Sequence, residues 1–313
     1  QNKIDINQDF LDNEENALHL KLKVFSKISN KLKVSFGSDY FLTNFDESYT
    51  PTGQSSFNSG YNAGISAFYS EMDYFFSKNL AFNFGIRASN NNLLNQSSVS
   101  PRASVAYKTG KFNQFSFAYG KFEQAPKADY LKYHSNFENE KTQHYILNYT
   151  FAKDGTTLRA EAYYKNYNDL VKFDTNAPVF NSKYTNNGFG YSKGLDIFFR
   201  EDTRIKNLQY WISYSFIDTQ RNYRNYSQEA TPSFVAKHTA SIVTKYWVSS
   251  LRSQVGITYN FNSGRPFENP NTEGFLNEKT KSFSNVNLGW AYLMSPQKIL
   301  YLSVSNVLGT KNV

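Results

Sequence analysis

Residues 79–88 read Asn-Leu-Ala-Phe-Asn-Phe-Gly-Ile-Arg-Ala, and this stretch decides the fold. Leu80, Phe82, Phe84, Ile86 and Ala88 alternate with Asn79, Ala81, Asn83, Gly85 and Arg87. A strand turns successive side chains to opposite faces, so a period of two builds one apolar and one polar face. The same period recurs at 254–261, where Val255, Ile257, Tyr259 and Phe261 alternate with Gln254, Gly256, Thr258 and Asn260. Followed outward in both directions, it predicts fourteen strands: 15–26, 31–42, 62–77, 79–90, 101–109, 112–122, 142–152, 156–170, 189–201, 207–218, 235–248, 250–262, 282–293 and 297–308. Most exceed the roughly 9–11 residues with which a tilted strand crosses a bilayer.

The apolar sets are rich in aromatics. Phe115, Phe117 and Tyr119 form one; Tyr145, Leu147, Tyr149 and Phe151 another; Val286, Leu288, Trp290 and Tyr292 a third. The residues between them are polar or small, as in Gln114, Ser116 and Ala118. The chain of 313 residues holds 24 Tyr and 28 Phe, more than a soluble core of Leu, Ile and Val calls for. A lipid-facing wall with aromatic girdles explains the excess. No apolar run approaches the roughly 18 residues of a membrane-spanning helix. There is no cysteine, which excludes disulfides and thiolate metal sites. The net charge of +8 is spread over polar-register positions and turns, without the basic run that nucleic-acid binding requires.

The connections set the orientation. Tight turns fall near Ser29-Asn30, Lys78-Asn79, Thr109-Gly110, Asp154-Gly155, Lys206-Asn207, Ser249-Ser250 and Ser295-Pro296, with the residues that close hairpins. Between them lie polar stretches at 43–61, 91–100, 123–141, 171–188, 219–234 and 263–281, read as long loops. Outer-membrane barrels have short periplasmic turns and longer extracellular loops. The seven turns are therefore expected inside and the six loops outside, with residue 1 and Val313 also outside. The expectation is one all-β domain over 1–313, an antiparallel up-and-down barrel from which further strands are missing. A complete fourteen-stranded channel is the rival.

Four stretches resemble the C-terminal barrel of TonB-dependent outer-membrane receptors, particularly those of Bacteroidota. Phe137 to Phe151 (FENEKTQHYILNYTF) is similar to the family's Leu-x-Pro-Glu-x-x-x-x-Tyr-Glu-x-Gly segment, with Glu140 and Tyr145 matching and Asn139 and Asn148 departing from it. Asn186 to Arg200 resembles the Asn-x-Gly-x-x-x-x-x-Gly-x-Glu strand start, with Asp196 in the acidic place. Tyr259 to Phe267 resembles the Ser-Gly-Arg-Pro strand exit, and Leu300 to Val313 the Asn-Leu-Phe-Asn-x-x-Tyr segment. The resemblance implies a barrel of twenty-two strands in the outer membrane, of which about fourteen are present, filled by an N-terminal plug that engages the TonB complex. It implies energised uptake of a scarce solute such as a siderophore, cobalamin, glycan or peptide. Its partners would be the lipid bilayer, lipopolysaccharide, the plug, TonB and, for some cargoes, a surface lipoprotein. Alternatives are a passive porin or fatty-acid channel, a barrel enzyme, and a secretion or adhesion scaffold.

No catalytic constellation and no cofactor motif is present. His19, His134, His144 and His238 are scattered without metal-ligand spacing. Asp12, Glu14 and Glu15 cluster in what reads as the first loop, either a solvated acidic loop or a calcium site. Charges on the polar register are the first candidates for solute or plug contact: Glu71, Asp73, Arg87, Arg102, Arg159, Glu161, Lys165, Arg200 and Arg252. The competing role is pairing within the wall. Arg159, Glu161 and Lys165 suggest a charge ladder. Loop aromatics Tyr130, Tyr133, Phe137, Tyr184, Tyr223 and Tyr226 are the second candidates, for stacking on a ligand or for the interfacial girdle.

Overall fold

Strong alternation builds strands, and the strands pair in chain order. In the computed structural model, which describes residues 2–6 and 9–311, these are β1 (Asn2–Ile6), β2 (Asp9–Lys27), β3 (Leu32–Thr50), β4 (Phe57–Phe75), β5 (Leu80–Asn91), β6 (Gln96–Lys108) and β7 (Asn113–Gln124). A helical turn α1 (Ala128–Leu131) follows, then β8 (Glu140–Lys153), β9 (Thr156–Phe173), β10 (Tyr184–Glu201), β11 (Leu208–Asn222), β12 (His238–Val248) and β13 (Ser253–Asn262). The two-residue strands β14 (Pro266–Phe267) and β15 (Glu278–Lys279) form a separate hairpin, and β16 (Phe283–Ser295) and β17 (Lys298–Val304) complete the main sheet.

All fourteen predicted strands are present, in one antiparallel meander that runs β1 to β13 and then β16 and β17. Strand β1 is an addition, pairing with the first residues of β2. Beyond Asn13, β2 pairs only with β3, and β17 pairs only with β16, among the described residues. The expected positions of residue 1 and Val313 lie outside the described residues.

The predicted faces hold. On β5, exposure alternates along Phe84, Gly85, Ile86 and Arg87, with Phe84 46% and Ile86 52% exposed. Leu147, Ile212, Ile257 and Leu288 are exposed on the same side. Apolar groups exposed on one face of a sheet need a nonaqueous neighbour, and charge there costs about 2–4 kcal/mol at the bilayer midplane. The polar face is concave. Phe57 on β4 and Phe180 in the β9–β10 connection lie 5.0 Å apart between ring centroids, although four strands, β5 to β8, lie between β4 and β9 along the sheet.

The seven tight turns share one end of the sheet, as the meander requires. At Asp154-Gly155 both residues have positive φ (46° and 84°), the twist that suits a two-residue hairpin. Three expectations change here and at the opposite end. The alternation predicts Arg252 within a strand, but it closes a turn of 3-10 helix (Ser249–Leu251) with φ 44°, so it is not a wall residue. The polar stretches 43–61 and 91–100 predict long loops, yet the chain is unpaired only at 51–56 and 92–95. Outside a bilayer both faces of a strand meet water, so pairing continues after the hydrophobic period has ended. For the same reason Asp12, Glu14 and Glu15 sit on strand β2, not in a loop. The connections 125–139, 174–183, 223–237 and 263–282 are long.

Candidate functional site

The concave wall gathers the polar register of every strand. Its first part, on β2 to β6, is an ion-pair network around a cavity of about 200 Å³ lined by Lys21, Lys23, Asp39, Tyr69, Glu71, Arg87 and Arg102 among others. The buried Asp39 carboxylate accepts Arg87 Nη1 at 2.6 Å and lies 3.4 Å from His19 Nε2. Glu71 accepts Lys23 Nζ at 3.2 Å and Ser35 Oγ at 3.4 Å. Asp73 accepts Asn83 Nδ2 at 2.8 Å. The structure therefore brings Glu71, Asp73 and Arg87 together, each with a wall partner.

The second part, on β6 to β11, is organised differently. Phe122 leans back over Gly120, where a Cβ would lie 2.8 Å from its ring. The Arg102 guanidinium lies over that ring at 4.7 Å, and His144 packs against it with centroids 4.7 Å apart. Tyr163 lies across Gly194 of the next strand, where a Cβ would be 2.6 Å from Cζ, and carries Lys165 Nζ 5.0 Å above its ring. Arg221 reaches across Gly190 and sits 4.5 Å over Tyr167. A similar unit occurs in the first part: Tyr69 covers Gly37 and stands beneath Lys23 and Arg87, at 5.9 and 5.8 Å. At Gly37, Gly120 and Gly194 a side chain would collide with the ring, and at Gly190 with Arg221 and the Gln220 carbonyl.

Arg102, Lys165 and Arg221 have no carboxylate partner among the described residues. The ladder expected of Arg159, Glu161 and Lys165 forms no ion pair among them. Glu161 instead accepts Asn148 Nδ2 at 3.3 Å and stands opposite Asp196, which accepts Ser215 Oγ at 2.5 Å. Arg200 is held at the turn end by Asp202, at 2.7 Å from Nη2. The rings Tyr69, Phe122, Tyr163 and Tyr167 join the site beyond the charged residues that the sequence predicts. The signal was an aromatic on the polar register, two residues or one strand away from a glycine.

The loop aromatics form a core of their own. Tyr130, Phe137, Leu131 and Leu94 pack with Val171 and Phe173 in a buried cluster, with Tyr184 and Tyr61 against it. Phe137 is 4% exposed and Val171 1%. Burial pushes the Tyr130 hydroxyl upward, partly offset by Arg224, and also raises Tyr184. Tyr226 rises to about 12, from burial first and then from Tyr223, with which it makes an edge contact. Tyr223 is itself buried, and Tyr133 keeps partial exposure beside Phe57, 6.2 Å away.

The connection 125–139 is pinned from several sides. Lys132 Nζ donates to Glu47 of β3 at 2.7 Å. Asn139 N donates to Gln96 at 2.9 Å. Asn186 donates to the carbonyls of Glu138 and Asp169 and accepts from Glu138 N. Two of the stretches that resemble receptor motifs thus meet: Glu140 accepts Val171 N at 3.2 Å, beside Asn186 at the start of the other.

Comparison with known proteins agrees with this architecture. A family model described as TonB dependent receptor-like, beta-barrel matches residues 4–307. Among solved structures, the ferric enterobactin receptor mutant (Q482A) PfeA from Pseudomonas aeruginosa, in complex with enterobactin, superposes with a TM-score of 0.74 at 12% identity, covering 96% of this chain and 49% of that one. The ferric yersiniabactin uptake receptor FyuA from Yersinia pestis gives 0.74 at 12% identity, over 98% and 51%. The ferric citrate transporter FecA in its unliganded form gives 0.73 at 14% identity, over 98% and 52%. The chain thus spans about half the length of these structures. No curated protein matches it.

Proposed function

Since the chain belongs to the TonB-dependent receptor β-barrel family, whose barrels sit in the bacterial outer membrane, we propose that its protein carries a scarce solute inward with energy delivered through TonB. The observation that carries this reading is the family match over 4–307 on a sheet whose polar face is concave and whose apolar face is exposed. The polar face meets the solute, a plug domain fills the concavity, and lipid with lipopolysaccharide meets the apolar face. The barrel has no catalytic role. A siderophore, cobalamin, glycan or peptide is the cargo, with a surface lipoprotein as partner for the last two. The affinity to Bacteroidota receptors rests on the sequence motifs alone.

The test is growth with iron chelates, cobalamin, glycans or peptides limiting, in a strain lacking the gene and a strain lacking TonB. One condition is expected to give the same defect in both. A defect in the strain lacking the gene with normal growth in the strain lacking TonB would replace this reading with a passive channel.

A further inference from the structure

We infer that the rim formed by the seven tight turns is a docking collar for anionic phospholipid headgroups of the leaflet that the turns face. The inference needs the outer-membrane barrel and not its cargo, so it goes beyond the transport reading and does not depend on it.

The first support is where the net charge lies. Taken with the strand residue at either side, the seven turns hold ten Lys and Arg against three carboxylates, a net +7 where the whole chain carries +8. The six connections at the other end, from β3–β4 to β13–β16 and bounded in the same way, hold eight charges of each sign. Every turn has a cation: Lys31, Lys78, Lys111, Lys153, Lys206, Arg252 and Lys298 in chain order, all exposed. Two of the three carboxylates are taken up within the turn after β10. Glu201 is 1% exposed and accepts Thr156 Oγ1 at 2.5 Å and the backbone N–H groups of Thr203 and Arg204. Asp202 takes Arg200 at 2.7 Å. What the rim shows to its surroundings is therefore positive.

The second support is the apolar company of these cations. Ile28, Phe76, Ile205, Leu251 and Met294 stand at the turns with 50–62% exposure. Phe112 in the β6–β7 turn lies beneath both Lys111 and Lys153, at 5.4 and 5.1 Å, which holds two ammonium groups at the rim without neutralising them. Tyr74, Tyr107 and Tyr246 are exposed one or two residues inside their strand ends. A polyanion in water would satisfy the cations and leave the apolar tips bare. A bilayer boundary satisfies both, since lysine stems lie along acyl chains while their ammonium groups reach phosphate, and aromatic rings sit at headgroup depth.

The third support is spacing. Consecutive turns are two strands apart, about 10 Å at about 4.8 Å per strand. Cations at that interval along an arc do not converge on one small anion. They suit a surface of many singly charged headgroups, where each Lys or Arg enriches anionic lipid about 5-fold.

The experiment places the full-length protein in phosphatidylcholine vesicles. Spin-label electron paramagnetic resonance then reads how strongly labelled phosphatidylglycerol and labelled phosphatidylcholine associate with it. Heat-modifiable gel mobility confirms folding of each variant. One of the two leaflets meets the rim, so the unaltered protein should prefer phosphatidylglycerol about 3-fold at low salt. The preference should vanish at about 1 M salt, where the screening length is about 3 Å. Lys31, Lys78, Lys206 and Lys298 have no carboxylate partner among the described residues. The variant K31Q/K78Q/K206Q/K298Q removes four of the rim's ten cations and should lower the preference to about 2-fold. The variant K127Q/K183Q/K279Q/K281Q removes the same charge from exposed positions at the loop end and should keep the full preference. The inference is overturned if the unaltered protein shows no preference, or if the turn variant keeps all of it. It is also overturned if both quadruple variants lose it equally, since net charge would then act without regard to place. Binding to isolated peptidoglycan that the turn variant loses, in a protein without lipid preference, would assign the rim to the wall polymer instead.

Discussion

The strand segments near the turns and those near the loops obey different rules. Near the turns, exposure alternates along Phe84, Gly85, Ile86 and Arg87 because lipid and the concavity lie on opposite sides. Near the loops, β3 and β4 pair from Tyr49 with Phe57 onward although Asn44, Glu47, Ser48, Asn58 and Ser59 put polar groups on both faces. Side-chain period reports the surroundings of a strand; backbone pairing does not depend on it. Apolar burial also differs. In the lower part the large apolar groups point away from the protein, whereas the loop end has a protein-like core around Val171 and Phe137. The lower part is thus specified by the membrane and the upper part by its own packing.

The largest expected effect tests the loop core. Phe137→Ala removes a side chain buried between Tyr184 and His134, whose ring centroids lie 5.5 and 5.0 Å away. Its cost is about 3–5 kcal/mol, the scale of a buried aromatic deletion. The loss should be local. Limited proteolysis within 125–139 should accelerate while the heat-modifiable mobility of the sheet stays unchanged. A sheet that melts with the loop would erase the distinction between the two regions.

Next comes the membrane-specified part. Phe84→Lys puts charge on the exposed apolar face and should cost about 2–4 kcal/mol, seen as an insertion defect in folding into lipid vesicles. Asn83→Lys should insert normally, because its neighbour Asp73 offers a carboxylate at hydrogen-bond distance from position 83. Equal defects at both positions would overturn the facing of the whole sheet.

These two regions also mark what was legible in the chain. All strand cores and tight turns were readable from alternation and from residues such as Asp154-Gly155. The strand extensions at 43–50 and 57–61 were not, because polarity on both faces looks like a loop. Arg252 was placed on the wall because Leu251 and Ser253 around it mimic alternation, while its left-handed backbone is a property of the turn. The charged wall residues were legible singly, but not their partners: Arg87 finds Asp39 across intervening β4, and Arg102 finds a ring on its neighbour strand. Tyr130 and Phe137 were recognisable as loop aromatics, whereas their burial depends on Val171 and Leu94 from other connections and strands.

The smallest expected effect concerns the pin between the regions. Lys132 in the 125–139 connection and Glu47 on the extended β3 are 14% and 9% exposed and 2.7 Å apart. Burial alone would lower the Lys132 pKa, but the hydrogen bond to Glu47, with Tyr133 and the Glu47 charge, outweighs it and holds the ammonium above its ordinary 10.5. A raised pKa in the folded state means that the pin is fully stabilising below pH 10.5 and is lost as pH climbs through the folded value above that. Its worth is about 1.5 kcal/mol, the lower end for a hydrogen bond between charged groups because both side chains retain some solvent. Lys132→Met should therefore speed cleavage within 125–139 about 10-fold at pH 8, a ratio that follows from that energy when opening is in rapid equilibrium. Measured by backbone hydrogen exchange rather than protease, the difference between the variant and the unaltered protein should shrink as pH rises past 10.5. A difference that stays constant across that range would show that methionine disturbs packing rather than charge, and the connection would then be held by its apolar core alone.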